Sequence, residues 1–259
     1  LTNRNFRGLI TMLSYLLRRA LTLLLVLFGL SILIFIIARI VPGDPARIAL
    51  GPLATATQVE ELREEMGLNA SFPVQLWSYL SGLVQGDLGK SLLTSRPVMD
   101  DIRGALPATF ELVLVTIILQ IFISIPLGVM AAIYRNTWVD NLLRVISLIG
   151  VVTPGFVLAI MLQLVAAHYL GFLPVTGRLD GGIDFDANFT GLLLIDGTLA
   201  GRFDVVLDAI RHLFLPAIAL SAAGIGQVMR ITRTAMIEVS SRDFVEATRA
   251  NGIPEKVVT

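Results

Sequence analysis

Gly89-Lys90-Ser91 is the stretch that looks most like a site for chemistry, because it imitates the tail of a phosphate-binding loop. The full motif needs a glycine five residues before Gly89, and that position is Val84. Thiol catalysis, disulfides and zinc–thiolate sites are excluded, since the chain has no cysteine. His168 and His212 stand far apart, no His-Glu-x-x-His occurs, and no metal cluster is expected. Paired aspartates are absent from the apolar runs, so an intramembrane hydrolase has no catalytic set. No catalytic residue and no cofactor is assigned to this chain.

What remains is a mechanical candidate, Ser241 to Gly252. Its pattern predicts a short amphipathic helix, with Asp243 as its cap and Glu246 completing a capping-box-like pair. Asp243, Glu246 and Arg249 then share one face, while Phe244, Ala247 and Ala250 recur on another. Gly252 followed by Pro254 ends it. On spacing alone, a solvated helix beside the membrane explains all of this.

The elements that must position this helix are long and apolar. The 259 residues are 55% hydrophobic and only 15% charged, against about 25% charged in an ordinary soluble domain, so the chain is a polytopic membrane protein. A formal net charge of zero argues against nucleic-acid binding. Residues 1–19 are polar, and 20–40 form the first span. That run exceeds the ~7–15 residues of a signal-peptide core and lacks an Ala-x-Ala site, so an uncleaved span is expected.

Residues 41–108 form a loop with a helix predicted from Thr57, capped by Thr57 and Glu60. Spans are expected at 109–133, 145–170 and 213–237, joined by loops 134–144 and 171–212, with 238–259 following the last. Phe203 to Ile210 is expected as a separate surface helix. Gln120, Gln163 and Gln227 are read as interhelical glue. Arg39, Glu111, Arg230 and Arg233 are read as snorkelling edge residues. Arg4, Arg7, Arg18, Arg19, Arg135, Arg144, Arg230, Arg233, Arg242, Arg249 and Lys256 crowd the segments on one side. By the positive-inside rule the N-terminus and the 238–259 segment are cytoplasmic.

Glu246-Ala247 with Gly252 resembles the "EAA…G" loop of binding-protein-dependent ABC importer permeases, with Thr248 where a second alanine is usual. Val41-Pro42-Gly43-Asp44-Pro45, Gly86-Asp87-Leu88-Gly89-Lys90-Ser91 and Leu106-Pro107-Ala108-Thr109-Phe110-Glu111-Leu112 add to the likeness. So do Thr153-Pro154-Gly155-Phe156 and Leu170-Gly171-Phe172-Leu173-Pro174. In order and spacing these patches are similar to the B-type subunit of the oligopeptide/dipeptide/nickel permease family.

The resemblance implies an all-α membrane protein of the type I ABC importer permease (MetI-like) fold, with four transmembrane helices present of an expected six. It implies a bacterial inner-membrane subunit importing di- or oligopeptides or a related small solute. A homologous second permease, two ATPase subunits carrying ATP and Mg, and an extracytoplasmic solute-binding protein are the implied partners, beside the lipid bilayer. It makes Asp243, Phe244, Glu246, Ala247, Arg249 and Gly252 the ATPase-coupling residues. An ion-coupled secondary transporter and a non-transporting membrane scaffold are the alternatives.

Overall fold

The computed structural model describes residues 2–40, 44–91, 93–166, 169, 171, 173–187 and 189–258. Val41–Gly43, His168, Leu170, Phe172 and Thr259 lie outside them. Among the described residues the regular elements are helices, with one isolated bridge between Lys90 and Pro97. They form two compact units that meet in sequence at Arg103 and Gly104.

The first unit holds α1 (Thr2–Ile40), α2 (Pro45–Leu50), α3 (Ala56–Glu65) and α4 (Phe72–Gln85). Helix α1 starts well before the apolar run at 20, because hydropathy marks where lipid begins and not where backbone bonding begins. Its Met12–Ile37 stretch is long and apolar enough to span a membrane and is almost wholly exposed. Where it touches α4, Phe35 is buried between Phe72 and Tyr79, with centroids at 5.3 and 5.4 Å. The expected cap of α3 is corrected: Thr55, not Thr57, caps it, exchanging bonds with Gln58 at 2.9 and 3.3 Å. Thr57 and Glu60 lie inside the helix.

The phosphate-loop imitation dissolves here. Val98 N–H donates to the Gly89 carbonyl at 2.9 Å, Ser91 N–H donates to that of Arg96 at 2.8 Å, and Lys90 Nζ meets Glu65 at 2.6 Å. This is a closed turn and not a strand–loop–helix cradle.

The second unit is built around α9. It takes α5 (Val98–Ile133) from Gly104 onward, α6 (Trp138–Val152), α7 (Gly155–Val165), α8 (Leu193–Leu199), α9 (Phe203–Ser240), α10 (Asp243–Ala250) and α11 (Glu255–Val258). The surface helix expected at 203–210 is the first part of α9, which runs on through Pro216. The expected third span, 145–170, falls on a bent pair of helices: α6 and α7 meet at 106° across Thr153–Pro154. Pro154 has no N–H with which to continue the ladder, so α6 ends and α7 restarts. Among the described residues three helices are long and apolar enough to cross, and the bent pair makes a fourth span if it crosses as one.

Glycines let these helices approach backbone to backbone, as packing in lipid favours. A Cβ at Gly226 would stand 2.6 Å from the Ser147 carbonyl oxygen; at Gly150, 2.8 Å from that of Ala222; at Gly128, 2.8 Å from that of Met229. Ser147 Oγ donates to the Gly226 carbonyl at 2.9 Å. Gln120 packs directly on Gly224, in keeping with the glue reading, whereas Gln227 is exposed. Gly226→Ala is expected to destabilise the detergent-solubilised protein by about 1–3 kcal/mol through overpacking. Gly29→Ala, with open space around its Cβ, serves as the neutral control in the same thermal melt. Equal melting of the two variants would contradict a backbone-tight seam.

Candidate coupling site

Helix α9 has 38 residues and so extends about 57 Å at 1.5 Å per residue, well beyond a bilayer core of about 30 Å. At least one end therefore emerges, and α10 hangs from the C-terminal one. Ser241 Oγ donates to the Glu238 carbonyl at 2.9 Å, and Arg242 pairs with the Glu238 carboxylate at 2.9 Å. From the last turn of α10, Arg249 NH1 donates back to the Ser240 carbonyl at 3.3 Å. Val245 is the buried anchor of the short helix, 7% exposed.

The cap and the faces differ from the spacing argument. Arg242, in extended backbone, is the N-cap residue and makes no side-chain cap bond; Asp243 is already inside the first turn. Asp243 and Glu246 still place negative charge beside the unpaired N–H groups there. The inward face is Val245, with Thr248 half-buried, so Asp243, Phe244, Glu246, Ala247, Arg249 and Ala250 are all exposed. Phe244 is the large apolar side chain among them, 61% exposed. Gly252 terminates the helix as read: its φ of 76° is left-handed, and its N–H donates to the Arg249 carbonyl at 2.9 Å.

A second feature stabilises the root of α10. Asp140, at the start of α6, is fully buried and receives Arg233 of α9 through two bonds, Nε to Oδ1 at 2.8 Å and NH2 to Oδ2 at 2.7 Å. Arg144 NH2 donates to Oδ2 at 3.2 Å and the Asn136 N–H at 3.0 Å, with Asn136 itself at φ 63°. Arg233 is thus no snorkelling residue but half of a forked staple between α6 and α9. Reading charge as an orientation count missed this; the signal was Asp140, a lone acid in the basic 134–144 loop.

The far end of α9 holds a polar cluster of its own. Glu111 is 3% exposed and pairs with Arg178 at 2.9 Å while accepting the Leu194 N–H at 2.7 Å, which corrects its reading as an interfacial anchor. Histidine spacing offered no reason to expect a cluster, yet Asp180, Asp208 and His212 come together because a loop folds back onto α9. Asp196 clasps the same loop: its carboxylate accepts from the Thr190 hydroxyl at 2.6 Å and from the N–H groups of Phe189, Thr190 and Gly191.

Burial pushes the Asp196 carboxyl up, but these donors together hold it below the usual carboxylate range. A depressed folded pKa means the clasp is fully present above the unfolded value and is lost as pH falls through the lower folded one. Amide-exchange protection of Gly191 is therefore expected to drop on acidification below about pH 4. In Asp196→Asn it should be low throughout; an unchanged pH profile in that variant would contradict the clasp.

Comparison with known proteins agrees with this architecture. The family described as "Binding-protein-dependent transport system inner membrane component" matches residues 124–258, and its N-terminal counterpart matches residues 12–113. A probable D,D-dipeptide transport system permease protein of Escherichia coli K12 is 40% identical over 241 residues, 93% of this chain and 71% of that one. A dipeptide transport system permease protein of Alkalihalophilus pseudofirmus is 40% identical over 247 residues, 95% of this chain and 74% of that one. A glutathione transport system permease protein of Escherichia coli K12 is 32% identical over 244 residues, 94% and 70%. Exposed apolar helices, small-residue packing seams and matches over nearly the whole chain lead to one conclusion: this chain belongs to the binding-protein-dependent transport system inner membrane component family, as a multi-pass permease subunit of the inner membrane.

Proposed function

We propose that this permease carries di- or oligopeptides, or a related small solute such as a nickel chelate, inward at the cost of ATP hydrolysed by partner subunits. The substrates named for its relatives, D,D-dipeptides, dipeptides and glutathione, are small peptides, which supports that cargo class. The N-terminus and α10 face the cytoplasm, in line with the basic residues around them. Two ATPase subunits hold ATP and Mg, a homologous second permease completes the passage, and an extracytoplasmic binding protein delivers the solute.

The observation that carries this reading is the posture of α10. It is rooted to α9 through Arg242 and Arg249, with Val245 buried, while Phe244 is exposed. A helix held this way transmits force: closure of an ATPase pair moves α10, α9 moves with it, and the Asp140–Arg233 staple carries the motion into α6. Alternating access follows from tilting that helix pair against the opposite permease.

The permease should bring ATPase subunits with it when purified from its native membrane in mild detergent. Phe244→Ala should weaken their retention about 10-fold or more, the loss of an aromatic anchor, without shifting the melting temperature. Full retention in that variant, or an intact permease that purifies alone, would favour the scaffold reading.

A further inference from the structure

The Asp180–Asp208–His212 cluster has no part in coupling and lies at the other end of α9 from α10. His212 and Asp208 are one helical turn apart and are 7% and 4% exposed. Asp180 reaches them from the loop after α7 and is exposed. Its backbone N–H donates to Asp208 Oδ2 at 2.7 Å, which holds the loop in place. One ligand atom from each of the three side chains lies within 4.8 Å of the other two.

The tautomer of His212 follows from its partner. Nδ1 sits 3.0 Å from the backbone carbonyl of Asp208, and a carbonyl only accepts, so Nδ1 carries the proton. Nε2 of the neutral ring is then a lone pair. It makes no hydrogen bond among the described residues, and the group facing it, Asp180 Oδ1 at 3.8 Å, is also an acceptor. The Asp208 carboxylate lies beside the protonated Nδ1, its Oδ2 at 3.5 Å.

Nε2 and the Asp180 carboxylate are both acceptors, and a cation between them satisfies both. The guanidinium in the same cavity wall, Arg178, is bonded to Glu111 and to the Gly191 carbonyl. The ring opens on a cavity of about 220 Å³. Gly177 borders its edge, where even a Cβ would come within 3.9 Å of Nε2.

We propose that Asp180, Asp208 and His212 bind a divalent first-row metal ion, with zinc the best match to one imidazole and two carboxylates. A carbonyl-held Nδ1–H that frees Nε2 is the usual second contact of a ligating histidine. Zinc takes nitrogen at about 2.0–2.1 Å and oxygen at about 2.0–2.2 Å, and the exposed Asp180 side chain can swing in to meet that distance. Water takes the fourth position. Bound metal ties the 173–187 loop to α9, and this proposal is independent of the coupling reading.

The test uses the intact transporter complex in lipid nanodiscs, stripped with a chelator and titrated with Zn²⁺ alone. One zinc more per permease is expected in wild type than in His212→Gln, and Asp180→Asn should bind it roughly 10-fold or more weakly. Asp180 is exposed, so its variant keeps the fold if His212→Gln does not. Zinc should also raise the melting temperature of wild type but not of Asp180→Asn. Equal zinc content in wild type and both variants would overturn the site. So would an imidazolium at His212, seen by nitrogen NMR as a protonated Nε2 that persists with equimolar zinc present.

Discussion

Arg233→Ala is expected to destabilise the permease by about 3–5 kcal/mol, since it leaves a buried carboxylate without its main counter-charge. Asp140 has no solvent exposure, and Arg233 supplies two of its bonds in one planar fork. Arg144 remains, but its side chain is half-exposed and it shares its NH2 with Asn141 at 2.7 Å. Arg233→Lys keeps the charge and loses the fork, so partial recovery is expected. The double variant Asp140→Asn/Arg233→Met should be less damaged than Arg233→Ala alone, because no unpaired charge is then buried. Thermal unfolding in detergent reads all three, together with the single variants Asp140→Asn and Arg233→Met. A double variant as unstable as the sum of the two single changes would mean that Asp140 and Arg233 are not coupled.

Gly252→Pro is expected to reduce ATP-driven uptake about 10-fold or more while leaving the transmembrane helices folded. Proline fixes φ near −65°, and Gly252 sits at +76° with its N–H bonded to the Arg249 carbonyl. Both the turn and the bond are lost, so α10 ends differently and Phe244, Glu246 and Ala247 are displaced from whatever they dock against. Gly252→Ala makes a graded control. Its Cβ meets nothing within 4 Å, so the only penalty is the left-handed backbone, about 1–2 kcal/mol. Uptake should fall less in that variant. Normal uptake by the proline variant in a cell that depends on this importer would remove α10 from the coupling path.

The membrane class and the family were legible in the chain because both are local. An apolar run long enough to cross lipid, or a glycine after a short amphipathic stretch, is written within a few residues, and the structure agrees about Gly252. The edges of helices were not legible from hydropathy. Polar turns such as Thr2–Arg19 and Phe203–Ile210 bond their backbones as well as apolar ones do, so α1 and α9 run past the lipid-facing stretch.

Face and partner assignments needed the fold as well. Spacing by three put Phe244, Ala247 and Ala250 together, but which side of α10 turns inward depends on how it hangs from α9, and Val245 takes that place. Charges were the hardest to read. Glu111 and Arg233 look like edge residues in sequence and Asp140 like one loop acid, yet each finds its partner in a different element, Arg178 sixty-seven positions from Glu111 and Arg233 ninety-three from Asp140.

The sequence by itself determined the medium, the family and the glycine stop after α10, because transfer of apolar side chains into lipid and turn chemistry are properties of short segments. Only the tertiary structure decided which acids are buried with which cations and that His212 meets Asp180. A charge's cost depends on what surrounds it in space, and chain separation carries no information about that.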